Sequence, residues 1–323
     1  MIRKTIQISA IVLVAVTIMA CSGLKKNTFK YHFADKDEAV KRYLANEEYF
    51  ADMSISDIQY RTQDKNGTVE ELKAFGTAQM QEFTDEEKTA ITNTLKEMES
   101  ELKSGGYRLP PMGEIVFIKS TQLEEGDSGA YTHGTHIYLG QYLIDMICSE
   151  DEIDRKFGKE TLWHEIFHCL TRNDPEFRKD MYGMIHFTVQ DKEYELPSSV
   201  LDRYISNPDV EHHNSYASFD IGGEMIDCYV TLIVSKPFEK EGDSFFDYAE
   251  TALVPVDGSD TYYLSDDAEN FWEVFGENTD YVLDPEECMA DNFAFAMTYG
   301  EDGMDYSNPE IITQILDYLS SGK

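Results

Sequence analysis

Thr161-Leu162-Trp163-His164-Glu165-Ile166-Phe167-His168-Cys169-Leu170 is the stretch on which the reading of this chain turns. Trp163, Ile166, Phe167 and Leu170 fall at i, i+3, i+4 and i+7, an apolar stripe that packs a helix into a core. On that helix His164 and His168 stand one turn apart on one face, where two neutral imidazole nitrogens can meet one zinc ion at about 2.0–2.1 Å. Glu165 lies roughly 100° round the helix, near enough to reach a metal-bound water without being a ligand. A Lewis acid beside a general base is what attack of water on an amide requires. The bland alternative is two structural histidines in a core helix.

Outward from this stretch, the helix runs from Asp154 to Leu170, and Asn173-Asp174-Pro175 stops it. Upstream, Gln141 to Cys148 is helical, Glu114 to Ile118 is a strand, and Ala130 to Leu139 reads as one alternating strand carrying Tyr131, His133, Thr135 and Ile137. Asp35 to Leu102 is helical and acidic. One helix opens at Asp37-Glu38-Ala39-Val40, another covers Val69 to Gln81, and Thr84-Asp85-Glu86-Glu87 forms a capping box for a third. Gly105-Gly106 ends that helix and Pro110-Pro111 marks a loop. Downstream, Ile185 to Val189, Tyr216 to Ser218 and Glu224 to Val234 read as strands, with Gly222-Gly223 as a hairpin turn. Helices return at Asp267 to Phe275, Pro285 to Tyr299 and Pro309 to Leu319. No internal repeat or low-complexity tract interrupts the chain.

The expected fold class is α+β. Its expected parts are a signal segment (1–20), a tether (21–33), a helical N-terminal subdomain (34–110), a core with the motif helix (111–182), a β-rich insertion (183–265) and a C-terminal helical part (266–323).

Among 323 residues, 62 acidic against 27 basic side chains give a formal charge of −35. Such a surface repels phosphate backbones, so nucleic acid is excluded as a partner. Arg3 and Lys4 precede a short apolar run from Ile8 to Met19, too short to span a bilayer and right for a signal peptide. Ile18-Met19-Ala20-Cys21 resembles a bacterial lipoprotein signal, which implies a lipidated Cys21, a membrane attachment through that lipid, and a place in the cell envelope. Loss of Arg3 and Lys4 with the signal takes −35 to −37. Lys25, Lys26 and Lys30 would then lie nearest the bilayer. Four further cysteines, Cys148, Cys169, Cys228 and Cys288, either allow a bridge between Cys169 and Cys288 or are small buried residues.

The His-Glu-x-x-His stretch resembles the zincin metallopeptidases, and within them the gluzincins, in which a second helix carries a Glu-x-x-x-Asp pattern. Pro285-Glu286-Glu287-Cys288-Met289-Ala290-Asp291-Asn292 fits it. The resemblance implies Glu287 as third zinc ligand and Asp291 as the acceptor that orients a ligand histidine. On a helix the neighbouring Glu286 is expected to point elsewhere. His168 and Glu287 are 119 residues apart, longer than the family's usual connection. The rival third ligand is Asp174, six residues past His168, by resemblance to the His-x-x-Gly-x-x-His/Asp pattern of the metzincin-like branch, although Thr171 stands where that branch uses glycine to turn. The resemblance also implies an edge strand along the cleft, with Ala130 and Tyr131 pairing with the substrate backbone, and a late oxyanion donor. Tyr216 is the expected donor, ahead of His186, His212, His213 and Tyr281, while His133 and His136 read as strand or surface residues. The expected activity is zinc-dependent cleavage of a peptide or protein. A catalytically silent zinc-binding lipoprotein is the alternative, and hydrolysis of a non-peptide amide would use the same atoms.

Overall fold

The structure, a computed structural model, describes residues 28–322, so the signal segment and Cys21 lie outside the described residues. The described residues form an α+β fold with twelve α-helices and two sheets. The first sheet contains β1 (Tyr31–Phe33), β2 (Met80–Gln81), β3 (Ile115–Ser120), β4 (Ala130–His133) and β5 (His136–Leu139). Its order is β1-β3-β5-β4, with β2 also paired to β3, so β4 is an edge strand. Four short helices precede it or thread through it: α1 (Lys36–Leu44), α2 (Glu47–Asp52), α3 (Ile55–Thr62) and α4 (Val69–Gln79). The long α5 (Asp85–Gly105) follows, started by the Thr84–Glu87 capping box and ended by Gly106 at φ 73°.

The sheet lies between two helical layers, and the period of two along its strands assigns the side chains. Ile115, Phe117, Ile137 and Leu139 face a core shared with α5 and with α6 (Gln141–Cys148) and α7 (Glu152–Asn173). Val116, Ile118, Tyr131 and Tyr138 face the other way, onto Ala39, Tyr43, Phe50 and Leu72 of the first helices. Every residue of β3 is buried, and its one cation, Lys119, is held by Glu87 at 2.8 Å. Ile91, Leu95, Met98 and Leu102 of α5 enter the same core as Trp163.

Ala130 to Leu139 is not one strand but a hairpin. Gly134, at φ 60°, and Thr135 make a two-residue turn, which preserves the alternation and so hides in the sequence pattern. Pro175 stops α7 and also starts α8 (Pro175–Met184), whose N-cap is Asp174. The expected strand from Ile185 shrinks to β6 (Thr188–Val189), because α8 runs up to it and His186 turns the chain at φ 68°.

After α9 (Ser198–Leu201) come β7 (Ser215–Ile221), β8 (Glu224–Val234), β9 (Ala249–Pro255) and β10 (Tyr263–Leu264). With β6 these form an antiparallel sheet in the order β10-β9-β8-β7-β6, and Gly222-Gly223 close the β7–β8 hairpin. The helix expected from Asp267 is reduced to α10 (Phe271–Phe275) after a single 3-10 turn. Then α11 (Pro285–Tyr299) packs along α7, with Phe293 against both Trp163 and Phe167, and α12 (Pro309–Ser321) closes the core. The described cysteines are all free: Cys169, Cys228 and Cys288 are buried and Cys148 is exposed, so no Cys169–Cys288 bridge joins α7 to α11. No helix among the described residues is long and apolar enough to cross a membrane.

Candidate metal centre

Two helices build the centre. Helix α7 starts at Asp151, whose carboxylate accepts from Ile153 N and Asp154 N, and extends 22 residues. Its apolar stripe holds it in the core and turns His164 and His168 toward α11. Helix α11 starts at Asp284, with Pro285 in the first turn and Glu286 and Glu287 beside the helix N-terminus, where carboxylates are favoured. His164 meets Glu287 and Asp291, whereas His168 meets Glu286 and Glu287, so the two helices run antiparallel here.

The imidazole rings of His164 and His168 are 4.8 Å apart between centroids. Glu287 Oε2 lies 3.1 Å from His164 Nε2 and 3.5 Å from His168 Nε2. One ligand atom from each of the three residues lies within 4.8 Å of the others, a grouping able to hold a metal ion. Both Nδ1 atoms are engaged from behind: His164 by Asp291 at 2.8 Å and His168 by Glu286 at 2.9 Å. These contacts fix ring orientation and leave each Nε2 directed at Glu287. His168 Nε2 is buried with no hydrogen-bond partner, the kind of orphaned atom that a metal satisfies.

Glu286 therefore does not point elsewhere. It accepts from Thr171 and Tyr182 as well as facing His168, because two histidines one turn apart present two Nδ1 atoms to two turns of α11. The Glu-x-x-x-Asp pattern by itself offers a partner to one histidine only. Asp174, the rival ligand, accepts from Phe177 N at 3.1 Å as the α8 cap.

Glu165 is buried and accepts from Thr132 Oγ1 at 2.7 Å. That contact follows from the pleat of β4, which turns Ala130 and Thr132 toward α7 and Tyr131 and His133 away. Tyr131 is accordingly spent on packing, stacked on Tyr138 at 4.4 Å with its hydroxyl on Glu124. Asp209, unmarked in the sequence, completes a second grouping with Glu165 and His168. Its Oδ1 accepts from Thr132 N at 2.6 Å and comes within 3.8 Å of His168 Nε2. Asp209 was not legible because it lies in a loop with no spacing relation to the motif.

Tyr216 sits on β7 opposite Thr188. Tyr281 has its ring beside His164, the centroids 6.1 Å apart. The other candidates have different engagements: His212 with Glu193, His213 with the Tyr204 hydroxyl, His136 with Arg42, while His133 is buried among Tyr49, Tyr131 and Tyr138. His186 turns the chain beyond α8.

Electrostatically the cluster is short of positive charge. Glu165, Asp209, Glu286, Glu287 and Asp291 surround two imidazoles, and the nearby Arg172 is paired with Glu211. Burial disfavours a charged His164, but Asp291 and Glu287 overcome it and hold the imidazole well above its usual range. Burial likewise opposes protonation of His168, yet Asp209, Glu286 and Glu287 push its pKa up to about 10. Burial would raise Glu287, and the two histidines hold it well below the usual carboxylate range instead. Protons on the histidines are the cations available to the bare site; two imidazoles and a carboxylate are equally a zinc donor set.

Compared with protein-family models, curated proteins and solved structures, the chain matches none.

Proposed function

We propose that this chain is a zinc-dependent metallopeptidase of zincin type, with His164, His168 and Glu287 holding the metal and Glu165 as general base. The observation that carries the reading is the convergence of both Nε2 atoms on Glu287 Oε2, each ring held from behind by a carboxylate. Zinc bound there would supply a Lewis acid that lowers the pKa of water to about 7 and polarises a scissile carbonyl. Glu165 takes the proton of the attacking water and returns it to the leaving amine; Thr132 fixes its Oε2 for that task. Tyr281 is exposed as a whole, but desolvation at its hydroxyl end, then Glu287, Asp209, Asp291 and Glu165, hold that hydroxyl well above the usual tyrosine range. Tyr281 therefore remains a donor at neutral pH, and it replaces Tyr216 as the proposed oxyanion donor. Attachment to the cell envelope through a lipid on Cys21 belongs to the same proposal.

The test is to purify the chain from residue 22, measure its zinc by elemental analysis, and offer it a mixed peptide library read by mass spectrometry. Stoichiometric zinc with defined cleavage is expected. Zinc without cleavage would favour the silent zinc-binding lipoprotein. One observation speaks for that second reading: the outward β4 amide of Thr132 and the turn amide of Gly134 are already bound by Asp209 and Glu211.

A further inference from the structure

The free edge of β4 is where an extended peptide would pair, and a piece of this same chain covers it. Thr132 N donates to Asp209 Oδ1 at 2.6 Å, and Gly134 N donates to Glu211 Oε1 at 2.6 Å. Thr132 N is the outward strand amide that a substrate carbonyl would use, and Gly134 N lies two residues on, in the turn that ends the strand. Asn207 meanwhile donates to Glu287, and Asp209 Oδ1 stands 3.8 Å from the partnerless Nε2 of His168. Residues 207–211 thus touch the edge strand, the third-ligand carboxylate and a histidine at once.

We infer that residues 207–211 form a self-blocking strap, and that Asp209 is a displaceable carboxylate that competes with substrate for the metal and for the β4 edge. The inference rests on the metal reading above. The strap is anchored at both ends. Ser206 N and Oγ donate to Asp57, and Ser206 O accepts from Arg61, both on α3. At the other end Arg172 holds Glu211 at 3.0 Å, and it also holds Pro208 O, near the first anchor, at 3.2 Å. Between the anchors the hold on β4 is carboxylate to amide; among the described residues no backbone–backbone hydrogen bond joins 207–211 to β4. Withdrawal therefore breaks a few side-chain contacts and no strand ladder. Room exists beside it: a groove of about 1240 Å³ is lined by Asn207, Pro208, Val210 and Glu211 of the strap together with Tyr49 and Met53. A peptide entering the cleft would replace the Asp209 carboxylate with its own carbonyl at Thr132 N.

The experiment uses the zinc-loaded chain and acetohydroxamate, a small bidentate zinc-binding probe. Calorimetry would compare wild type with Asp209→Asn, which keeps an acceptor for Thr132 N and loses the charge. The variant should bind the probe at least about tenfold more tightly, as expected if the open form of the wild type is populated to about 10% or less. Hydrogen exchange on the wild type supplies a readout independent of the variant's folding: the Thr132 and Gly134 amides should exchange faster once the probe is bound. Equal probe affinity in both proteins, with unchanged exchange, would overturn the strap while leaving the metal site standing. Loss of zinc from a folded Asp209→Asn protein would also overturn it, since Asp209 would then be a permanent ligand. A wild type that takes up no zinc would instead remove the metal reading, and the strap's role with it.

Discussion

Glu286 Oε1 stands 2.9 Å from His168 Nδ1, and the same carboxylate is held by the hydroxyls of Thr171 and Tyr182. A histidine so oriented cannot rotate its Nε2 away from Glu287. Glu286→Gln should therefore weaken zinc binding by about 10- to 100-fold, the usual cost of losing such an outer partner, with little change in the fold. Competition against a chelator of known affinity measures this directly. Unchanged affinity would mean that packing alone orients His168.

Replacing Glu165 with Gln keeps the side chain's shape and its contact with Thr132 but removes the base. Zinc content and melting temperature should stay at wild-type levels, while peptide cleavage falls by about 10²–10⁴-fold. Cleavage at the wild-type rate would rule Glu165 out as the base.

The metal-free protein should depend on pH through His168. Its pKa rises from 6.5 to about 10 on folding, because Asp209, Glu286 and Glu287 outweigh burial. A raised pKa means that the folded state binds the proton more tightly, so this stabilisation is complete below pH 6.5 and lost as pH climbs through about 10. Zinc takes the proton's place, so the loaded protein should lack that decline. Urea unfolding of both forms across pH 6 to 10 would reveal it; parallel profiles would refute the coupling.

Arg61 is buried between Asp57 and Glu125 and also binds Ser206 O. Arg61→Met should cost about 3–5 kcal/mol, the scale for leaving buried carboxylates without their cation. Denaturant titration gives the number, and a loss below about 1 kcal/mol would show that the network relaxes or hydrates.

Cys21→Ser should leave the precursor without a lipid and release the protein from membranes, as read by detergent partitioning. Retention in the detergent phase would discard the lipoprotein proposal.

Local chemistry made much of this chain legible in its sequence. The capping box at Thr84, the Gly222-Gly223 turn, β8 and α11 follow from short-range rules, because caps, turns and periodicity act over a few residues. The i, i+4 spacing likewise set His164 and His168 on one face of α7, and Glu287 and Asp291 on one face of α11. What lay beyond that reach was which atoms of separate segments meet. Pairing Glu286 with His168, setting Tyr281 rather than Tyr216 beside His164, and bringing Thr132 to Glu165 depend on how α11, the chain before it and β4 dock on α7. Asp209 is the sharpest case. It approaches His168 from a loop 41 residues downstream, held there by Asp57, Arg61 and Arg172, and no local pattern encodes a contact made by side chains so far apart in the chain.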